Sequence, residues 1–326
     1  MWDVVGHEWA VQRLRAALTN RTLAQSHLLI GPEHVGKATL ARALAEAVLG
    51  ETSRAQRLVQ QGKHPDLLWL NPEDDAIKVE AVRAALHALT LTPVEASHRV
   101  LVIEEAQRMT EASQNALLKT LEEPPPAALM VLVAPNTDLL LPTIVSRCQV
   151  LALRPVPTVQ IAEALAARGV PQEQATFIAR LARGRVGWAL RAAQDAALLE
   201  ARTKRLDDLQ RLLHAGYAQR FAFAEALARQ PQDEQRATLL EWLFLWRDVA
   251  HLHADRDAAV LNVDRMAQLR ALQAAVPLAQ VTKLLRALTR TLARLEANVN
   301  ARLAFDVLLL QLPRLSTSAE NTVAPS

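Results

Sequence analysis

Cysteine is nearly absent: Cys148 alone among 326 residues. A lone thiol excludes an internal disulfide and any zinc site built on cysteines, and it is the usage expected in a reducing compartment. Long apolar runs are missing too, and residues 1–3 (Met1, Trp2, Asp3) open neither a basic nor an apolar leader. Neither a membrane span nor a secretory signal is expected, and the expected location is the cytoplasm. Glycine (9), tyrosine (1) and phenylalanine (5) are scarce, so strand and turn formers are few. Lysine is rare as well, at positions 37, 63, 78, 119, 204 and 283, the remaining basic residues being arginine. A net charge of +3 without a basic run is weak support for direct nucleic-acid binding.

What is present is a chain rich in alanine, leucine and arginine, all strong helix formers, so a mostly helical protein is expected. The first 154 residues depart from that background. Apolar runs of strand length at 27–30, 66–70, 100–103 and 129–134 alternate with helix-like segments, the pattern of a parallel α/β sheet. Beyond Arg154-Pro155-Val156-Pro157, where two prolines break any continuing element, no strand-like run returns. Segments 158–168, 172–183 and 187–197 predict a small three-helix unit over 155–200. From 201 to 315 the helices lengthen, with apolar residues at Leu239, Leu243, Trp246 and Ala250 and at Leu284, Leu288, Leu292, Leu295 and Val299. Such stripes form the core of a bundle or an oligomerising collar. Residues 316–326 are expected to be a disordered tail.

The first strand runs into Gly31-Pro32-Glu33-His34-Val35-Gly36-Lys37-Ala38-Thr39 and then a helix. This nearly matches G-x-x-x-x-G-K-[ST], in which backbone N–H groups and a helix N-terminus cradle phosphates and a lysine supplies charge. The departure is Ala38, whose methyl group replaces the hydroxyl that holds Mg²⁺. Thr39 stands about 100° further round the helix and does not replace it. Glu104 and Glu105 end the strand at 100–103, where such proteins place a metal-ligating aspartate and a water-activating glutamate. The longer glutamate displaces the metal-facing carboxylate, which octahedral Mg²⁺ tolerates poorly. The loop is therefore either a degenerate nucleotide site (Gly31, Gly36, Lys37, Ala38, Thr39, Glu104, Glu105) or a glycine-containing strand-to-helix turn without a ligand. The histidines offer no metal site: His64 stands alone, and His251 and His253 do not share a helix face.

Longer stretches then agree with one family. They are Glu104-Glu105-Ala106-Gln107-Arg108-Met109-Thr110, Asn115-Ala116-Leu117-Leu118-Lys119-Thr120-Leu121-Glu122-Glu123-Pro124-Pro125, and Pro142-Thr143-Ile144-Val145-Ser146-Arg147-Cys148-Gln149. With Val5-Gly6-His7, Ser26-His27, Gly62-Lys63-His64-Pro65-Asp66 and the segment 297–304, they resemble the bacterial clamp-loader AAA+ family over about residues 1–312. The resemblance implies an α/β AAA+ core (P-loop, parallel sheet) at 1–154, a three-helix lid at 155–200 and an all-α collar at 201–315. It also implies that Gly187 occupies the place of a nucleotide-reaching arginine in the lid, and that Pro135 and Asn136 replace paired threonines. Gly50 to Gln61 holds no cysteine, so the zinc module common in relatives is not expected.

These defects fall on the chain's own nucleotide chemistry, while Ser146-Arg147-Cys148 is intact. The family resemblance implies that Arg147 is an arginine finger reaching a neighbour's ATP, with Ser146 and Cys148 at that interface. The alternative is an arginine that caps a helix or pairs with a carboxylate. Implied partners are gamma/tau ATPase subunits and a delta subunit, with the sliding clamp and primed DNA engaged through the complex. No cofactor is required under this reading, although residual ATP or ADP binding is compatible with it. The rival is a competent AAA+ ATPase, of the gamma/tau motor type or a stand-alone remodelling enzyme.

Overall fold

A computed structural model describes residues 2–50, 52–72, 76–296 and 299–315. The expected tail at 316–326, and Ala297 and Asn298, lie outside them. Two compact units are present, Met1–Ala193 and Gln194–Ser326.

The first unit is built on five parallel strands: β1 (Ser26–Ile30), β2 (Leu67–Leu70), β3 (Arg99–Ile103), β4 (Ala128–Ala134) and β5 (Gln149–Ala152), in the order β2-β3-β4-β1-β5. Residues of period two serve both faces. Leu29, Val100, Val102, Val131 and Leu151 pack with α1 (Glu8–Thr19), α2 (Lys37–Leu49) and α3 (Ser53–Gln60). Leu28, Leu101, Ile103, Met130 and Leu132 pack against α4 (Val79–Thr90) and α5 (Glu111–Glu122). Four strands coincide with the sequence expectation. The fifth, β5, was not expected: it is a short edge strand in which Leu151 is the only buried residue, and its apolar run Val150-Leu151-Ala152 lies just before the Arg154-Pro155 break.

The short α6 (Pro142–Val145) leads into β5, and α7 (Thr158–Ala166), α8 (Gln172–Ala182) and α9 (Val186–Gln194) follow. The third of these ends short of the expected 197, because the Asp195 carboxylate accepts from the Ala197 amide (3.0 Å) and starts a new helix. The expected boundary at 200/201 thus falls inside that helix, whereas the compact units divide at Ala193/Gln194.

Asp66 explains part of the family motif at 62–66. Its buried carboxylate accepts from the amides of Val94 (2.7 Å), Glu95 (2.8 Å) and Ala96 (3.0 Å), with Arg99 Nε 3.6 Å away. Burial pushes its pKa up, but the three amides and Arg99 outweigh burial and hold it below the usual carboxylate range.

The second unit contains α10 (Ala196–His214), α11 (Tyr217–Ala228), α12 (Gln232–His253), α13 (Met266–Ala275), α14 (Leu278–Glu296) and α15 (Ala301–Leu310). Leu239, Trp242 and Trp246 of α12 meet Leu284, Leu288 and Leu295 of α14 in its core, with Leu243, Ala250 and Leu292 packed against it. Most of the apolar stripes noted in the sequence are therefore satisfied within this unit. Val299 is the exception, exposed and beyond the end of α14. The large apolar side chains left outside are Leu303, Val307 and Leu310 on α15, Tyr217 and Phe221 on α11, and Leu278 on α14. Arg220, fully buried, donates to the carbonyls of Leu212, Leu309, Leu312 and Pro313 and so closes the ends of α10 and α15.

Candidate functional site

The loop between β1 and α2 is shaped by glycine. Gly31 has φ +145°, and a Cβ there would lie 2.3 Å from the Leu153 carbonyl oxygen; Gly36, at φ +109°, opens the helix. Lys37 follows, and its side chain turns back on the loop: Nζ donates to Gly31 O (2.6 Å) and Pro32 O (2.7 Å). The group is buried, and burial pulls its pKa down to about 8 against the opposing carboxylates of Glu33, Glu104 and Glu105. Ala38 offers a cation no oxygen, and Thr39 is exposed on the outer side of the helix.

Glu104, at the end of β3, is engaged sideways. Trp69 Nε1 donates to its Oε2 (3.0 Å), while the Arg42 guanidinium stacks 4.3 Å from the centre of the Trp69 ring. Glu105 sits in left-handed backbone (φ +51°) and pairs with Arg108 Nε at 2.6 Å. Gly31 N donates to Pro135 O (3.1 Å), and the Asn136 amide oxygen accepts from Asp138 N (3.0 Å), closing a turn.

Helix α9 packs directly on this loop. Gly187 N donates to His34 O (2.7 Å), and a Cβ at 187 would lie 3.3 Å from that same oxygen. Arg191 Nη2 lies 3.0 Å from His34 Nε2. Burial, then Arg191, push the His34 imidazole down to about 4, so it is neutral at pH 7. His34, Arg191, Trp69 and Arg42 were not singled out from the sequence. Their signal is spatial, since each gains its role from an element distant in the chain.

Ser146-Arg147-Cys148 stands apart from the lysine loop, in the turn between α6 and β5. Gln114 of α5 positions the turn, its Oε1 accepting from Leu141 N at 2.8 Å. Ser146 Oγ donates to Thr143 O (3.1 Å). Arg147 Nη1 donates to the same carbonyl (3.0 Å), and Nη2 forms an ion pair with Glu122 at the end of α5. The Arg147 side chain remains 32% exposed. Cys148 packs against the core, and burial pushes its thiol up to about 11, which keeps it protonated and unreactive. Glu122 lay within a quoted motif, but nothing local in the sequence marked it as the partner of Arg147.

Among the described residues, no group of three or more His, Cys, Asp or Glu side chains is placed to hold a metal, and no helix is long and apolar enough to cross a membrane. His64 is occupied structurally, its Nδ1 accepting from Asp66 N (3.1 Å).

Comparison with known proteins gives one direction. The family described as "DNA polymerase III, delta subunit" matches residues 6–157. The delta' subunit of DNA polymerase III from Bacillus subtilis is 27% identical over 89% of this chain and 91% of its own length. That from Pseudomonas aeruginosa is 30% identical over 68% of this chain and 70% of its own. The tau/gamma subunit from Haemophilus influenzae is 32% identical, over 49% of this chain and 25% of that protein. The delta' similarity extends through both compact units, and with the five-stranded parallel sheet, the glycine–lysine loop and the Ser146-Arg147-Cys148 turn it places the chain in the delta' family of clamp-loader AAA+ proteins.

Proposed function

We propose that this clamp-loader subunit is a pseudo-ATPase that lends Arg147 to a neighbouring ATPase subunit. The observation that carries the reading is the contrast at position 38: Lys37 is retained, but the adjacent side chain has no hydroxyl for Mg²⁺. The sideways engagement of Glu104 by Trp69 and the glycine at 187 support it. The chain's own loop lacks the donor set for metal-assisted phosphoryl transfer, and its lysine is satisfied by the loop carbonyls.

Arg147 is a different kind of cation. Its guanidinium lies at the surface on the Glu122 carboxylate, the Thr143 carbonyl and the Ser146 hydroxyl (3.4 Å), and an ion pair this exposed contributes about 0–1 kcal/mol. A partner's phosphate can therefore displace Glu122. A guanidinium brought to a transferring phosphoryl group stabilises the charge that develops there and is worth roughly 10³-fold or more in rate. In this reading the partners are gamma/tau-type ATPase subunits and a delta subunit, and the complex places a sliding clamp on primed DNA in the cytoplasm. No zinc enters, and bound ATP or ADP, where present, is not turned over.

The collar role belongs to the second unit, and its exposed apolar side chains on α11 and α15, rather than the α12 and α14 stripes, supply the surface for neighbouring subunits.

The test is a pair of variants in the reconstituted complex, scored for DNA- and clamp-stimulated ATP hydrolysis and for clamp loading. Arg147→Ala is expected to assemble normally, to abolish hydrolysis at one site of the ring and to lower loading further. Lys37→Ala is expected to leave the rate within about twofold. A harmless Arg147→Ala with a crippling Lys37→Ala would identify a motor subunit instead.

A further inference from the structure

A cavity of about 350 Å³ opens between the start of α11, the start of α14 and the end of α15, within the size range of small-molecule sites. Arg220 forms part of its wall at 2% exposure, Lys283 and Arg314 stand exposed at its rim, and Tyr217, Gln280 and Gln311 add a hydroxyl and two amides. No lining residue is acidic, and none of the three cations forms an ion pair with a described residue. This departs from the unit's other buried arginine, Arg202, which meets Asp264 at 2.8 Å. Arg220 gives Nε and both Nη1 hydrogens to the carbonyls of Leu212, Leu309 and Leu312 and one Nη2 hydrogen to that of Pro313. The fifth N–H has no acceptor among the described residues. The carbonyls satisfy its donors but do not cancel its charge. Burial pulls its pKa below the ordinary arginine value; Tyr217 opposes, and Arg314, a like charge nearby, adds to the pull.

We propose that this cavity binds a diphosphate group, carried either by free pyrophosphate or by a nucleotide. A diphosphate has more charge than a carboxylate and spreads it over two phosphoryl groups, so cations borne on α11, on α14 and on the segment after α15 can each meet an oxygen. The guanidinium of Arg220 is already fixed by four carbonyls, and little ordering is required of it when an anion arrives. The first turns of α11 and α14 border the cavity, and their partial positive charge adds to the field. Tyr217, exposed at the rim, is the only ring among the lining residues on which a base could stack. The inference uses nothing of the Arg147 reading, and either can fail alone.

The experiment is a calorimetric titration of the full chain with pyrophosphate, ADP and citrate, in low-salt buffer free of Mg²⁺ and phosphate. It compares the parent with the double variant Lys283→Gln, Arg314→Gln, with Tyr217→Ala and with Lys37→Ala. Both side chains exchanged in the double variant are exposed, so it is expected to melt at the parent's temperature. The parent is expected to bind pyrophosphate with a Kd below about 1 mM, and the double variant at least about tenfold more weakly, two charge-assisted contacts being lost. The two single variants, each expected to bind about threefold more weakly, carry the test if the double variant melts lower. ADP bound at least about fivefold more tightly than pyrophosphate, with the gain lost in Tyr217→Ala, makes the ligand a nucleotide. ADP bound no more tightly, with Tyr217→Ala without effect, makes it free pyrophosphate. Equal binding by parent and double variant, citrate bound as tightly as pyrophosphate, or no binding by the parent at about 1 mM overturns the proposal. So does loss of binding in Lys37→Ala, which would place the anion on the loop before α2.

Discussion

Lys37 and Arg147 are two cations beside neighbouring strands of one sheet, Lys37 after β1 and Arg147 just before β5, and they have opposite fates. Lys37 is buried and holds two carbonyls of its own loop, whereas Arg147 stays at the surface on a carboxylate that a stronger anion can replace. The difference teaches that retention of a charged residue does not preserve its use. Availability depends on what the group must give up, and two partly buried hydrogen bonds from a charged donor cost more to break than solvent-exposed contacts.

The largest effect expected from this contrast is at Arg147. Arg147→Lys keeps the charge but loses the planar fork, so hydrolysis at the neighbour's site in the reconstituted complex should fall roughly 10²-fold, nearly as far as with alanine. Single-turnover phosphate release measures it, and full activity with lysine would show that charge alone suffices.

A second effect tests burial at Lys37. Its folded pKa, about 8, lies below the ordinary 10.5, so between these values the unfolded chain binds more protons and stability rises with pH. The window amounts to about 3 kcal/mol, to order of magnitude. In Lys37→Met that rise should vanish while the other contributions remain, as urea denaturation at pH 7.5 and 10 would reveal. An unchanged pH dependence would mean that Lys37 is solvated.

The smallest effect concerns the tether. Glu122→Gln removes the carboxylate and leaves a neutral partner of the same shape, so Arg147 is released more readily. An exposed pair of about 0.2–1 kcal/mol corresponds to a rise of up to roughly fivefold in stimulated hydrolysis, largest at low salt. A fall would show that Glu122 holds Arg147 in its working position.

The sheet was legible because β1, β3 and β4 bury continuous apolar runs and β2 is apolar throughout, though only Leu67 of it is buried. β5 escaped because its apolar run is only three residues long within the strand and one of them is buried, too short to stand out next to the prolines that follow. Ala38, Glu104 and Gly187 were visible as departures from a pattern whose chemistry is local. Their consequences were not: the engagement of Glu104 depends on Trp69, 35 residues away, and that of Gly187 on His34, both fixed only when the strands and the lid come together. The stripes on α12 and α14 were read correctly as apolar faces, but one sequence cannot distinguish a face that meets its own bundle from one that meets another subunit. α15 shows the converse. Its apolar residues surround the helix, so Phe305 and Leu308 enter the core while Leu303 and Val307 are left outside.

The contact between Gly187 and His34 limits what residue 187 can be. A Cβ at 187 would lie 3.3 Å from the His34 oxygen that accepts from the Gly187 amide, so a larger residue there requires the loop to give by a few tenths of an ångström. A hydroxyl restored at 38 would meet a lysine still bonded to its own backbone. One loop thus joins the two positions: the lysine beside residue 38 holds its first carbonyls, and the amide of residue 187 holds the carbonyl of His34 further along it.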